Sequence, residues 1–190
     1  MENGEKIILA SASPRRQELL REAEIAFEVH PAEIDEDLRP GELPEAAVMR
    51  LAELKAAEVS ARFPGRLVLA ADTMVVLRGR AFGKPFDLAD AKRMLATFSA
   101  CTHEVLTGVS LLRDASPPVT WCSTTAVTFR RLDMEAIEAY FRLVCPLDKA
   151  GSYAIQEHGD LLIEKIDGWR SNVIGLPIEE VKRKLEEFQG

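Results

Sequence analysis

The chain has 190 residues, 47% of them hydrophobic and 29% charged, which is enough apolar material for one domain, or one domain of two lobes, without covalent staples. With 24 Lys and Arg against 31 Asp and Glu the formal charge is −7, and the lack of any basic stripe excludes a surface built to wrap duplex nucleic acid. A polyanionic ligand would need a local basic pocket inside an acidic protein.

Cys101, Cys122 and Cys145 are odd in number and far apart, which suits a reducing compartment. The N-terminal apolar run, Ile7 to Ala10, is too brief for a signal peptide, and no stretch approaches a membrane span. A cytoplasmic location without membrane contact is expected.

Taken in chain order, Lys6–Ala10 reads as a buried strand and Pro14–Ala23 as a helix started by Ser13 and Pro14. Between them lie Ser11-Ala12-Ser13-Pro14-Arg15-Arg16. Two arginines in a first helical turn oppose the helix dipole by about 0.3–1 kcal/mol, and a bound anion would reverse that penalty. The same residues also make an ordinary Ser-Pro cap with two solvated arginines. Phe27–His30 is a second short strand, followed by the acidic loop Pro31–Gly41. Within it Asp35, Glu36 and Asp37 are either a solvated run or oxygen ligands suited to Mg²⁺ or Mn²⁺.

Pro44–Phe63 has the period of a helix, and Lys55 lies in the middle of its apolar stripe Val48, Leu51, Ala52, Val59. Such a lysine snorkels or is paired, or its stripe borders a cleft where it reaches a phosphate; the cleft is the favoured reading. Leu67–Leu77 is a long apolar strand interrupted by Asp72 and Thr73. A carboxylate there must be paired, hold a metal or be functional, and the break suits a ligand site at a strand end. The signature of haloacid-dehalogenase phosphatases is excluded, because Met74 stands where a second Asp is required.

A turn, Arg78–Pro85, carries Lys84 and leads to the helix Asp87–Phe98. His103–Leu112 and Val119–Arg130 flank Asp114–Pro118 as a hairpin, and Asp133 caps a helix reaching Val144. The loop Pro146–Gly159 contains Gln156, whose amide can both donate and accept, as a nucleobase edge requires. A strand, Leu161–Ile166, and a helix, Pro177–Phe188, complete the chain. The alternation predicts an α/β fold with a mixed, twisted central sheet flanked by helices and one antiparallel pair inserted. His30, His103 and His158 lack zinc-ligand spacing and are read as structural or surface residues, and neither a Walker A loop nor a nucleophile elbow is present.

In order and spacing the segments Leu9-Ala10-Ser11-Ala12-Ser13-Pro14-Arg15-Arg16, Ile34-Asp35-Glu36, Leu51-Ala52 with Lys55-Ala56, Ala71-Asp72-Thr73, Gly83-Lys84-Pro85, Thr102-His103-Glu104-Val105 with Thr107-Gly108-Val109, Asp148-Lys149-Ala150-Gly151-Ser152-Tyr153-Ala154-Ile155-Gln156 and Asn172-Val173-Ile174-Gly175-Leu176-Pro177 together resemble the Maf family of nucleoside triphosphate pyrophosphatases. The resemblance covers nearly the whole chain. It implies an elongated, two-lobed fold akin to inosine triphosphatase, often homodimeric, and hydrolysis between the α- and β-phosphates with Mg²⁺ or Mn²⁺. It implies that Asp72 is the catalytic carboxylate and, with Glu36, a metal ligand. Ser11, Arg16, Lys55 and Lys84 would hold the triphosphate. Arg15, Thr73 and Gln156 match positions tied to base choice in the branch acting on dTTP and UTP. Alternatives are a nucleotide-binding regulatory module of cell division and a pyrophosphatase preferring purines, either 7-methyl-GTP or inosine triphosphate. The chain departs from the family pattern at Val144-Cys145, at Glu157-His158 and at Trp169-Arg170. Where the family has a glutamate ahead of its Asp-Lys-Ala-Gly segment this chain has Cys145, so any metal duty of that residue passes to Asp35, Glu36 or solvent.

Overall fold

The computed structural model of the chain describes residues 6–114 and 116–188; the hairpin turn expected at Asp114–Pro118 includes residue 115, which lies outside them. The elements are β1 (Ile7–Leu9), α1 (Pro14–Glu22), β2 (Phe27–Val29), α2 (Pro44–Arg62), β3 (Leu67–Leu77), β4 (Arg80–Phe82), α3 (Leu88–Phe98), β5 (Thr102–Arg113), β6 (Val119–Phe129), α4 (Met134–Leu143), β7 (Ile163–Asp167), α5 (Arg170–Ile174) and α6 (Ile178–Glu187). Seven strands form one mixed sheet in the order β2-β1-β3-β5-β6-β7, with β4 paired to β3. β1 runs parallel to both β2 and β3, while the pairs from β3 through β7 are antiparallel. The mixed α/β architecture expected from the alternation of elements is the one observed. Strand β4 lies inside what the sequence presents as a turn. Helix α5 and two 3-10 turns, Ala150–Ser152 and Gly159–Leu161, occupy stretches that give no periodic signal.

The interior explains where ligand space can form. Leu67, Leu69 and Ala71 of β3 pack with β1, α1 and α6, whereas Val75 and Leu77 pack with α3, α4 and β6. The two apolar clusters part at Asp72 and Thr73. In register across the sheet, Thr73 faces Thr107, and Thr107 faces Ser123. A row of hydroxyls therefore crosses three strands where the apolar pattern stops, and α5 lies over it through Asn172, which is fully buried. Buried polar groups of this kind must be hydrogen-bonded to be tolerated, so the row fixes the local geometry.

Helix α2 packs across the same strands, and one glycine decides how closely. A Cβ at Gly108, the β5 partner of Asp72, would lie 2.2 Å from the Val48 carbonyl oxygen of α2. Only glycine lets the helix backbone rest on the strand there. Gly108→Ala is expected to cost about 3 kcal/mol by overpacking, seen as a fall of roughly 6–12 °C in Tm. An unchanged thermal melt would refute the tight approach.

In the larger cluster His103 is 1% exposed, lies between the rings of Phe98 and Phe129, and has Nε2 2.7 Å from the Tyr153 hydroxyl. Burial pushes its imidazole down to about 4, so at neutral pH it is an uncharged core residue, as the sequence suggests.

Candidate active site

A cavity of about 710 Å³ opens at the break in β3, within the range of small-molecule sites. Ser11, Arg15, Arg16, Glu36, Lys55, Asp72, Thr73, Lys84 and Gln156 all line it. These nine residues therefore reach one hollow, although they derive from six separate parts of the chain. Asp35 and Asp37 are not among the lining residues; the Asp35 carboxylate instead accepts from the Asp37 amide at 2.9 Å.

Lys55 projects from α2 and is 7% exposed. Its Nζ donates to Asp72 Oδ1 at 2.6 Å and lies 3.0 Å from Glu36 Oε1. The lysine that sits in the middle of an apolar stripe is thus both paired and directed into the cavity. One ammonium holds two carboxylates, the inner one nearly buried and the outer one on the exposed loop. An ion pair in this setting compensates the desolvation that either charge alone would suffer.

Arg16 is held differently. Its Nε donates to the Gly175 carbonyl at 2.9 Å, Nη1 to Ser11 Oγ at 3.1 Å and Nη2 to Thr73 Oγ1 at 3.1 Å. All three partners are neutral. Burial lowers the pKa of this guanidinium, opposed by the nearby charges of Asp72 and Glu36. Arginine stays protonated regardless, so the cavity wall carries a fixed positive charge. Ser13 caps α1 by accepting from the Arg16 amide, and Pro14 occupies its first turn. The helix start therefore directs Arg15 and Arg16 toward the cavity as the sequence pattern suggests.

A family description, Maf-like protein, matches residues 6–188. The chain belongs to the Maf family. A dTTP/UTP pyrophosphatase of Geotalea uraniireducens is 48% identical over 189 residues, covering 99% of this chain and 97% of its own. Its namesake from Bacillus cereus is 44% identical over 187 residues, covering 98% of this chain and 92% of that one. Among solved structures, a nucleoside-triphosphatase / dITP/XTP pyrophosphatase of Mycobacterium abscessus aligns with a TM-score of 0.44 at 19% identity, over 67% of this chain and 75% of the other.

The Maf cavity is also lined by a second charged group, Asp148, Lys149 and Glu157, to which sequence reasoning gave no role in the site. Lys149 is 5% exposed, and its Nζ lies 2.8 Å from Asp148, 3.2 Å from Glu157 and 2.9 Å from the Cys145 carbonyl. Arg15 reaches across to Asp148 at 3.7 Å. Cys145 and Glu157 thus both touch Lys149, the former through its backbone. Gly175 and Thr107 fall in segments that carry the family resemblance, but neither was given a role in the site. A backbone carbonyl leaves no mark in a sequence, and a threonine within a strand reads as ordinary β composition.

Proposed function

We propose that this Maf protein hydrolyses dTTP and UTP to the monophosphate and pyrophosphate. The observation that carries the reading is the meeting of Arg16, Lys55 and Lys84 with the Asp72 carboxylate around one cavity. Its relatives named for dTTP and UTP supply the base, and Gln156 at the rim supplies an amide able to read the uracil or thymine edge.

In this reading a water attacks the α-phosphorus. Its oxygen forms the new P–O bond, the bond to the bridging oxygen breaks, and pyrophosphate leaves with that electron pair. Asp72 accepts the proton of the attacking water. Lys55 has three N–H groups, enough to keep Asp72 in place while donating to a phosphate oxygen. Arg16 and Lys84 offset the charge that builds on the leaving group, and Ser11 and Thr73 hold Arg16 toward it. Arg15 and Thr73 join Gln156 in shaping the space for the base. Positioning and charge stabilisation are most of what phosphoryl chemistry asks of a protein.

The donor set suits a divalent metal that arrives with the nucleotide. Mg²⁺ is commonly held by one or two carboxylates together with substrate phosphates, and Asp72 and Glu36 both approach the Lys55 nitrogen. Among the described residues no group of three or more His, Cys, Asp or Glu could form an all-protein metal cage. Mg²⁺ or Mn²⁺ held there would neutralise phosphate charge and polarise the reacting centre. Among the same residues no helix is long and apolar enough to cross a membrane.

The test is pyrophosphate release from dTTP, UTP, CTP, 7-methyl-GTP and inosine triphosphate with Mn²⁺. We expect dTTP and UTP to be turned over at least about tenfold faster than either purine, the discrimination that one or two base-edge hydrogen bonds provide. Faster purine turnover would overturn the base assignment. Thermal stabilisation by dTTP without product would make the protein a nucleotide-binding module.

A further inference from the structure

Helix α5 is only five residues long, with Val173 and Ile174 lining the cavity, and it is fastened with unusual care. The Asn172 side-chain amide donates to the Val105 carbonyl at 3.0 Å, to the Ser123 carbonyl at 3.3 Å and to Thr125 Oγ1 at 3.0 Å. One side chain thereby joins α5 to both β5 and β6. Thr125 in turn donates to the Trp169 carbonyl at 3.1 Å, which fixes the start of the helix to the same strand. Both Asn172 and Thr125 are fully buried.

Two routes lead from this fastening to the same guanidinium. Along the helix, Asn172 is followed three residues later by Gly175, whose carbonyl accepts from Arg16 Nε at 2.9 Å. Across the sheet, the Asn172 carbonyl accepts from Thr107 Oγ1 at 3.4 Å, and the Thr107 and Thr73 hydroxyls lie 3.0 Å apart. Thr73 Oγ1 then accepts from Arg16 Nη2 at 3.1 Å. A flexible cation contributes to charge stabilisation only where its position is fixed before the reaction, since a misplacement of about 1 Å can cost on the order of 10²-fold. We infer that Asn172 is a positioning residue for Arg16: by locking α5 to β5 and β6 it sets the Gly175 carbonyl and the Thr107–Thr73 hydroxyl pair that together aim the guanidinium into the cavity. This rests on Arg16 being a phosphate-binding cation of the proposed reaction.

The experiment is a double-mutant cycle on Asn172→Ala and Arg16→Lys, reading dTTP affinity in a metal chelator and kcat/KM with Mn²⁺. Asn172→Ala is expected to weaken both by about tenfold or more in the wild-type background. In the Arg16→Lys background it should change them less than about twofold, because the group it positions is already gone. Reading affinity as well as turnover keeps the cycle measurable when Arg16→Lys is nearly inactive. Effects that multiply independently would overturn the inference and leave Asn172 a purely structural residue. If Asn172→Ala does not melt cooperatively, Thr125→Val, which removes one acceptor and the link to Trp169, replaces it in the same cycle with the same two outcomes. A wild-type protein that neither binds nor hydrolyses dTTP would instead strike at the function on which the inference stands.

Discussion

Asp72→Asn is expected to lower kcat by a factor on the order of 10²–10⁴, the range lost when a general base is removed. Asparagine has the shape of aspartate and keeps an oxygen to accept from Lys55 at the position where Asp72 Oδ1 lies 2.6 Å from Nζ. Lys55 also retains Glu36, so the folded structure should survive with a loss of about 1–2 kcal/mol. Steady-state kinetics on dTTP beside circular dichroism would measure both effects. An Asn variant turning over within threefold of wild type would remove Asp72 from the chemistry.

Lys55→Met should produce the second large effect, and here stability and rate fall together. Without the ammonium, the side chains of Asp72 (11% exposed) and Glu36 (59% exposed) face one another with no cation between them. Removing one member of a buried pair costs about 3–5 kcal/mol; opening to solvent on the Glu36 side places this case near the lower end. The expected fall in Tm is roughly 6–12 °C for a chain of this length. Loss of a preorganised charge on the phosphates should reduce kcat/KM by about 10²–10³ in addition. A Met variant with full activity would show that the ammonium serves only to neutralise the carboxylates.

Much of this arrangement could be read before any coordinates. Asp72 and Lys55 were visible because each breaks an apolar pattern, and a break of that kind demands a partner or a purpose. The helix starts at Ser13 and Asp133 were visible because capping side chains mark them, and in the structure each accepts from a backbone amide three residues on, as does Asp87, which the sequence presents only as the first residue of its helix. What stayed hidden had no pattern to break. Helix α5 spans Arg170–Ile174, too short for any helical period, and its contribution is made through the Gly175 carbonyl and an amide folded inward. Strand β4 is three residues bordering a glycine turn and gains its identity only by pairing with β3. The Lys149 cluster was missed for another reason. Lysine beside aspartate in a loop reads as solvated charge, and only tertiary folding makes it 5% exposed.

The three neutral partners of Arg16 carry a practical consequence. If Arg16 holds phosphate as proposed, a guanidinium whose partners are a carbonyl and two hydroxyls would also draw small anions that are not substrates. Inorganic phosphate or sulfate in a buffer would compete for the place of a nucleotide's phosphates. Michaelis constants measured in such buffers would describe a partly blocked enzyme, and those measured in an amine buffer with chloride would come closer to its true appetite for nucleotide.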